Sequence, residues 1–221
     1  MIVGNLTIER LNHSAFMINS KRLIYIDPFK IDMIKEADII LISHEHFDHC
    51  SIEDLKKIVT PNTRIVMPPD CQSKIASGKI KPKETLLVKP GVKLEIDGIH
   101  ITAVPAYNTN KNFHPKENDW VGYLIESDGI RIYHSGDTDV IPEMKNLGKI
   151  DVACLPVSGT YVMTAKEAVQ AAEIINPKVV IPMHYGAVVG SVADAHQFKS
   201  LWKGRTEILG PEGNPPNPIN P

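Results

Sequence analysis

Side chains that commonly bind metal ions are concentrated at residues 44–49, directly after the apolar run "ADIILIS". Alternate side chains of an extended segment point to the same side, so His44 and His46 can hold one ion together. Asp48 and His49 follow a turn and face a different point. Because a metal ion needs about four ligands, this segment predicts parts of two metal positions that other segments must complete.

The remaining apolar runs indicate the strands that position this segment. Most have four to seven residues and are rich in Ile and Val, which favours buried strands. They are "RLIYID", "ADIILIS", "TRIVMP", "IHITAVPA", "WVGYLIE", "IRIYHSGD", "DVACLPV" and "KVVIPMH". Turns at Asp97-Gly98 and Asp128-Gly129 predict hairpins, and therefore antiparallel pairing as well.

Three helices are also indicated. Ser51 with Asp54 and Thr164 with Glu167 have the spacing of a capping box, which predicts that a helix begins at each pair. A third helix is predicted from about residue 191 to 202. Two mixed sheets packed together, with the helices outside, accommodate these elements, so the predicted fold class is α/β.

Composition limits the class of protein and the cellular compartment that we expect. The chain has 221 residues, of which 43% are hydrophobic and 23% charged, as in ordinary globular proteins. A formal net charge of −2 gives no bulk attraction to nucleic acid. No apolar run reaches the roughly 20 residues of a membrane span, and three unpatterned cysteines favour a reducing cytoplasm. We expect one domain over residues 1–221, with a mobile or surface-draped tail from about 210 to 221.

Several predicted strands end at a residue that could bind a metal. Ligand sites in sheet proteins gather beyond the carboxyl ends of strands. We therefore expect these strand-end residues to converge on one cleft: Asp27, His44, Asn108, Asp137 and His184.

The segment "HEHFDH" at residues 44–49 matches the His-x-His-x-Asp-His signature of the metallo-β-lactamase superfamily. "YIDP", "SGDTD" and "PMHYG" are similar to further motifs of that family, in the same order. "LNHSAFMI", "IDP" and "HSGDTD" most resemble the branch of ascorbate-6-phosphate lactonase and N-acyl-phosphatidylethanolamine phospholipase D. The resemblance implies an αββα sandwich of four layers.

The resemblance also implies two divalent metal ions, with zinc expected and manganese or iron as alternatives. Asp137 corresponds to the carboxylate that bridges the ions, and Asp27 to a residue that orients the ligands. The implied ligands are His44, His46, Asp48, His49, Asp137 and His184. In the family the metals supply a hydroxide, which implies hydrolysis of an ester, lactone or phosphodiester, with Asp48 and His49 in catalytic roles.

One position departs from the family pattern. Asn108 stands where relatives carry a third histidine, and an amide oxygen is a poor zinc ligand beside imidazole. We expect His114, six residues later, to complete the first metal site. Replacing Asn108 should then leave metal binding unaffected. The alternatives are Asn108 or water as the ligand, with His114 facing the substrate.

The expected partner is a small-molecule substrate. Lys111 and Lys116 suggest an anionic group on it, and His13, Tyr107 and Asn108 are expected to face the substrate or support the ligands. An RNA-processing nuclease is disfavoured by the absence of a long insertion and by the acidic balance. A diiron redox protein is disfavoured by His46, where that branch has Glu. A non-catalytic metal-dependent binding or sensing protein stays open, and the sequence does not indicate an oligomeric state.

Overall fold

The first of two β-sheets contains the amino-terminal strands. A computed structural model describes residues 1–32 and 34–210 of the chain. The strands of this sheet lie side by side in chain order: β1 (Ile2–Val3), β2 (Leu6–Asn12), β3 (Ala15–Asn19), β4 (Leu23–Ile26), β5 (Ile39–Leu41), β6 (Arg64–Met67) and β7 (Glu84–Leu87). Neighbours are antiparallel from β1 to β4 and parallel from β4 to β7.

The second sheet holds the remaining strands: β8 (Lys93–Ile96), β9 (Ile99–Pro105), β10 (Val121–Ser127), β11 (Ile130–His134), β12 (Val152–Pro156) and β13 (Val179–Met183). Neighbours are antiparallel from β8 to β11 and parallel from β11 to β13. Both predicted hairpins are confirmed. Asp97-Gly98 and Asp128-Gly129 are two-residue loops with positive φ at both positions, as a type I′ turn requires.

Helices cover the outer faces of the two sheets. Apolar side chains of both sheets meet in a buried central layer, which includes Phe16, Ile26, Ile101 and Tyr123. Helices α1 (Ile52–Ile58) and α2 (Gln72–Ser77) pack on the first sheet, and α3 (Ala165–Ile175) and α4 (Val192–Leu201) on the second. Short 3₁₀ helices lie at Pro69–Cys71, Lys116–Asn118 and Pro142–Asn146. The αββα arrangement is therefore confirmed.

The predicted helix starts differ in their capping. Thr164 and Glu167 form the full capping box at α3. At α1 the Ser51 hydroxyl accepts from the Asp54 N–H. The prediction of a full capping box is wrong here, because the Asp54 side chain does not accept from the Ser51 N–H. The Asp54 carboxylate instead accepts the N–H groups of Lys30 at 2.8 Å and Ile31 at 3.2 Å. Through these hydrogen bonds the Asp54 carboxylate connects the loop after β4 to helix α1, beside the predicted site.

Strands β1, β2, β3 and β7 and helix α2 escaped prediction from the apolar runs. In β2 buried and partly buried side chains alternate, so the strand has no continuous apolar run. Within residues 1–32 and 34–210, no helix is long and apolar enough to cross a membrane. A mobile or surface-draped tail is predicted from about residue 210. Residues 211–221 lie outside the described residues, so this tail stays a prediction.

Candidate metal centre

Strand direction brings the predicted site residues to one edge of the sandwich. Strands β2, β4 and β5 run the same way in the first sheet, and β9, β11 and β13 run the same way in the second. The two edges adjoin, because the ring centroids of His13 and His184 lie 4.1 Å apart. The loops beyond these strand ends carry His13, Asp27, residues 44–49, Asn108, His114, Asp137 and His184.

One group of ligand atoms comes from His44, His46 and His114, and these atoms all lie within 4.8 Å of one another. Nε2 of His44 is 3.0 Å from Nδ1 of His46. The indole of Trp120 packs against all three rings, with centroid distances of 4.8, 4.8 and 5.5 Å. Trp120 was missed in the sequence because it lies at the start of an apolar run, where an aromatic residue is typical of core packing.

The structure places His114, and not Asn108, beside His44 and His46. The Oδ1 atom of Asn108 accepts from the backbone N–H of His114 and lies 3.0 Å from its Nδ1. Nδ1 must therefore carry the proton, which leaves Nε2 of His114 with a free lone pair. Asn108 thus holds the imidazole in orientation, and the expectation that a change of Asn108 spares metal binding is revised below.

A second group is formed by His13, Asp48 and His184, whose ligand atoms also lie within 4.8 Å of one another. Nε2 of His49 is 3.6 Å from Oδ2 of Asp48. Burial raises the pKa of Asp48, but His49 and His13 outweigh this and lower it to about 2. The carboxylate is therefore ionised at neutral pH.

Asp137 lies between the two groups. Its Oδ2 is 3.2 Å from Nε2 of His114 and 3.0 Å from Nε2 of His184, and its Oδ1 is 3.3 Å from Nε2 of His49. Burial raises the pKa of Asp137, but His184, His49 and His114 lower it well below the usual range. Burial lowers the pKa of His49, yet Asp137, Asp27 and Asp48 raise it well above the usual range. The carboxylates thus favour a positive charge at this point, as a metal site requires.

Four imidazoles are held through the ring nitrogen that faces away from Asp137. A hydrogen bond at Nδ1 fixes the ring and leaves Nε2 available for a metal. The bonds join His44 to Ser43 at 2.9 Å, His49 to Asp27 at 2.7 Å, His114 to Asn108 at 3.0 Å and His184 to Ser158 at 2.9 Å. Asp27 also accepts from the N–H and the hydroxyl of Ser43. Ser43 could have been found beside the histidine motif, whereas nothing in the sequence singles out Ser158.

Three residues of the site have a strained backbone conformation. His13, Asp27 and His184 have φ values of 41°, 45° and 61°, in the left-handed region that non-glycine residues rarely adopt. Each such conformation costs about 1–3 kcal/mol and persists where surrounding contacts enforce it. The three residues lie on loops from both sheets, so the fold holds the site in a conformation that local preferences oppose.

Unpaired buried atoms mark the centre of this cluster. Nine buried side-chain nitrogen or oxygen atoms of the described residues have no hydrogen-bond partner. Five of them belong to the site: both ring nitrogens of His13, Nε2 of His49, Nε2 of His114 and Oδ1 of Asp137. Leaving such atoms without a partner is unfavourable by about 1–3 kcal/mol each. Metal ions would satisfy lone pairs that face one another in this way, so the donor set fits the metals that the sequence implies.

The groups expected to meet an anionic substrate are already paired. Lys111 lies 2.7 Å from a carboxylate oxygen of Asp139. The ammonium of Lys116 lies 3.0 Å from Glu143, and the hydroxyl of Tyr107 donates to the same carboxylate at 2.9 Å. Since carboxylates of the segment after β11 compensate these positive charges, the contacts do not favour an anionic substrate.

Comparison with known proteins agrees with the fold. A family model described as a beta-lactamase superfamily domain matches residues 7–184. A UPF0173 metal-dependent hydrolase from Pyrococcus abyssi is 35% identical over 216 residues, covering 91% of this chain and 94% of the relative. A solved structure from Parabacteroides distasonis, assigned as a metal-dependent hydrolase, has a TM-score of 0.80 and 34% identity, with 92% of each chain covered. Igni18, a metallo hydrolase from Ignicoccus hospitalis, shares the fold with a TM-score of 0.74. Its sequence is 22% identical, and the alignment covers 93% of this chain and 95% of that chain.

An αββα sandwich with histidines and aspartates at the strand ends defines a class of metal-dependent hydrolases. The chain belongs to the metallo-β-lactamase superfamily, as the match over residues 7–184 and the 35%-identical relative show. It is accordingly a metal-dependent hydrolase, and the prediction of family, fold and enzyme class is confirmed.

Proposed function

We propose that the protein hydrolyses an ester, lactone or phosphodiester bond at a centre of two metal ions. This proposal rests on the position of the Asp137 carboxylate. One carboxylate lies within 3.3 Å of ring nitrogens of His49, His114 and His184, which belong to different sides of the cluster. A carboxylate so placed can bridge two ions that are held by the two groups of ligands.

In this proposal each group of residues has a distinct task. Two bound ions supply Lewis acidity, which polarises the bond to be cleaved and lowers the pKa of a water towards about 7. His44, His46 and His114 hold one position, and Asp48, His49 and His184 the other, with Asp137 shared. The Asp48 carboxylate borders the point where the groups meet. It can orient the attacking water and accept its proton.

The surroundings of the site favour a substrate with an apolar portion. Phe47 is 62% exposed and packs edge-on against Phe29, with ring centroids 5.7 Å apart. Phe113 is 48% exposed and packs in the same way against Tyr161, at 4.7 Å. Phe47 follows His46 and Phe113 precedes His114, so each exposed ring is adjacent in sequence to a proposed ligand. These rings offer apolar surface, whereas the nearby lysines are compensated.

Zinc is the proposed metal, since the donors are imidazoles and carboxylates, with manganese or iron as alternatives. The three cysteines are free and buried. Cys50 adjoins His49 in sequence but packs among apolar residues under the first sheet. Free thiols fit the cytoplasmic location that we propose.

The first prediction concerns metal content and activity together. We expect the purified protein to hold up to two transition-metal ions per chain and to lose hydrolytic activity when a chelator removes them. Elemental analysis and assays of the same samples, before chelation and after return of zinc or manganese, measure both quantities. The assays use p-nitrophenyl esters of increasing acyl length, a lactone panel and bis(p-nitrophenyl)phosphate. Protein that takes up neither metal would refute the centre, whereas full metal uptake without turnover would favour a binding or sensing protein.

The second prediction tests how His114 is held. His114→Ala should weaken retention of an ion at least as much as His46→Ala, because both remove an imidazole from the same group. Asn108→Ala should weaken it by about 10–100-fold, the usual effect of losing the partner of a ligand.

Asn110→Ala is the matched control for Asn108→Ala. Asn110 lies in the same loop, but its side chain donates to Glu167 at 3.3 Å and accepts from Lys111 at 2.7 Å, so both of its polar atoms have partners other than His114. Chelator competition measures the affinity of each variant. Parent-like affinity in Asn108→Ala would show that His114 keeps its orientation without this bond.

A further inference from the structure

His13 differs from the other buried histidines of the site in having neither ring nitrogen hydrogen-bonded. The side chain is fully buried. Within the part of the chain that the structure describes, Nδ1 and Nε2 both lack a hydrogen-bond partner. Nε2 lies 3.4 Å from Oδ2 of Asp48, and the ring is tilted by 45° against that of His184 at a centroid distance of 4.1 Å. The imidazole is thus aimed at Asp48 and His184.

The backbone holds His13 in this position. The guanidinium of Arg10 and the N–H of His184 both donate to the carbonyl of His13, each at 3.0 Å. Arg10 also donates to the carbonyl of Tyr185 at 2.7 Å. These bonds connect the end of β2 to the loop after β13, across the two sheets. They support the left-handed φ of His13, which carries its ring into the site instead of to the surface.

His134 shows how the same fold accommodates a structural histidine. It is equally buried, yet both of its ring nitrogens are paired. Nε2 lies 3.0 Å from the carbonyl of Ser14, and Nδ1 accepts from the N–H of Gly136 at 3.3 Å. The lack of partners at His13 is therefore a specific property of that position and not of buried histidines in this protein.

We propose that His13 is itself a metal ligand and completes the second position together with Asp48 and His184. Their ligand atoms lie within 4.8 Å of one another, and a bound cation would satisfy a ring-nitrogen lone pair to which no described group donates a hydrogen bond. This inference rests on the proposed dinuclear centre. With His49 and Asp137 adjacent, the second position gains more protein ligands than the position of His44, His46 and His114. The first position is then the one that retains room for the substrate.

The test replaces His13 with asparagine, which tolerates left-handed φ but is too short to bring an imidazole nitrogen to the site. His134→Asn is the matched control, because it removes a buried histidine that has no part in the cluster. Both variants and the parent are loaded with Co²⁺. Chelator competition then measures the affinity of each ion, and the ligand-field absorption spectrum reports the ligands of each ion. Circular dichroism checks the fold.

We expect His13→Asn to lower the affinity of one of the two ions by about 10²-fold or more and to change the absorption bands of that ion alone. A lost ligand should exceed the 10–100-fold effect of a lost outer partner. His134→Asn should keep the parent spectrum. Parent-like affinity and spectrum in His13→Asn, with two ions bound, would overturn the role of His13 and leave the dinuclear centre intact. A parent protein that binds no Co²⁺ would instead refute the centre.

A measurement on the parent protein covers the case in which His13→Asn does not fold. After loading with ¹¹³Cd²⁺, a ring nitrogen of ¹⁵N-labelled His13 should show coupling to cadmium, and the ring nitrogens of His134 should not. Absence of coupling at His13, with coupling present at His184, would contradict the proposal. A His13 that only positions Asp48 through a hydrogen bond would give this negative result.

Discussion

Asp137→Asn is expected to release metal and abolish hydrolysis together. The carboxylate is 3% exposed, and its two oxygens contact ring nitrogens on both sides of the cluster. An amide retains one oxygen but replaces the other with a donor group, which cannot bind a cation. We expect at least about a 10²-fold loss of affinity for one ion or both, beyond the effect of losing an outer partner, with turnover falling in parallel.

Asp151→Asn controls for the removal of a buried carboxylate. Asp151 directly precedes β12, where it accepts from the N–H of Arg131 and pairs with Lys178. Its replacement should leave metal content and turnover per bound metal unchanged. Elemental analysis and a hydrolysis assay on the same preparations make the comparison. Full metal occupancy in Asp137→Asn would argue that Asp137 is not shared between the two positions.

Asp48→Asn is expected to slow hydrolysis by about 10²-fold or more, in the range of a lost general base, while much of the metal remains, because the other proposed ligands of the second position are unchanged. The pKa of Asp48 is lowered to about 2, so the parent carries a full negative charge there at neutral pH. The amide keeps the shape, but it is too weak a base to take the proton, and its neutral oxygen orients the water less strongly than a carboxylate does. The assay compares turnover per bound metal in the parent and the variant.

Glu45→Gln makes the same change of charge three residues earlier. Glu45 is partly exposed, and its carboxylate lies 3.6 Å from Lys74 on helix α2, outside the ligand groups. We expect near-parental turnover from it. If Asp48→Asn retained its metals and also turned over at the parental rate, Asp48 could not have the role proposed here.

The sequence predicted much of the site because metal ligands impose strict requirements. Two imidazoles on one side of an extended segment, followed by Asp48 and His49 beyond a turn, can be read without knowledge of the fold. The ends of apolar runs then located Asp27, Asp137 and His184. The eight runs also predicted the central strands, since a strand buried on both faces needs apolar residues throughout.

What escaped prediction depends on contacts between distant parts of the chain. Strand β2 alternates buried and partly buried residues, so the location of His13 beside β13 was not evident. The bond from His114 to the Asn108 side chain is set by the path of a loop, and the spacing of the two residues does not specify it. The pairing of Lys111 and Lys116 likewise requires Asp139 and Glu143 to be brought close, which only the folded chain shows.

The proposed ligands come from loops of both sheets, and they include residues near opposite ends of the described chain. Ions bound there would connect the two halves of the sandwich in the native state, and the unfolded chain offers no preformed site. Metal binding and folding are then thermodynamically linked. Each tenfold excess of free metal over the dissociation constant adds about 1.4 kcal/mol per ion to the free energy of unfolding. A cell short of metal would therefore hold a protein that is less stable as well as less active.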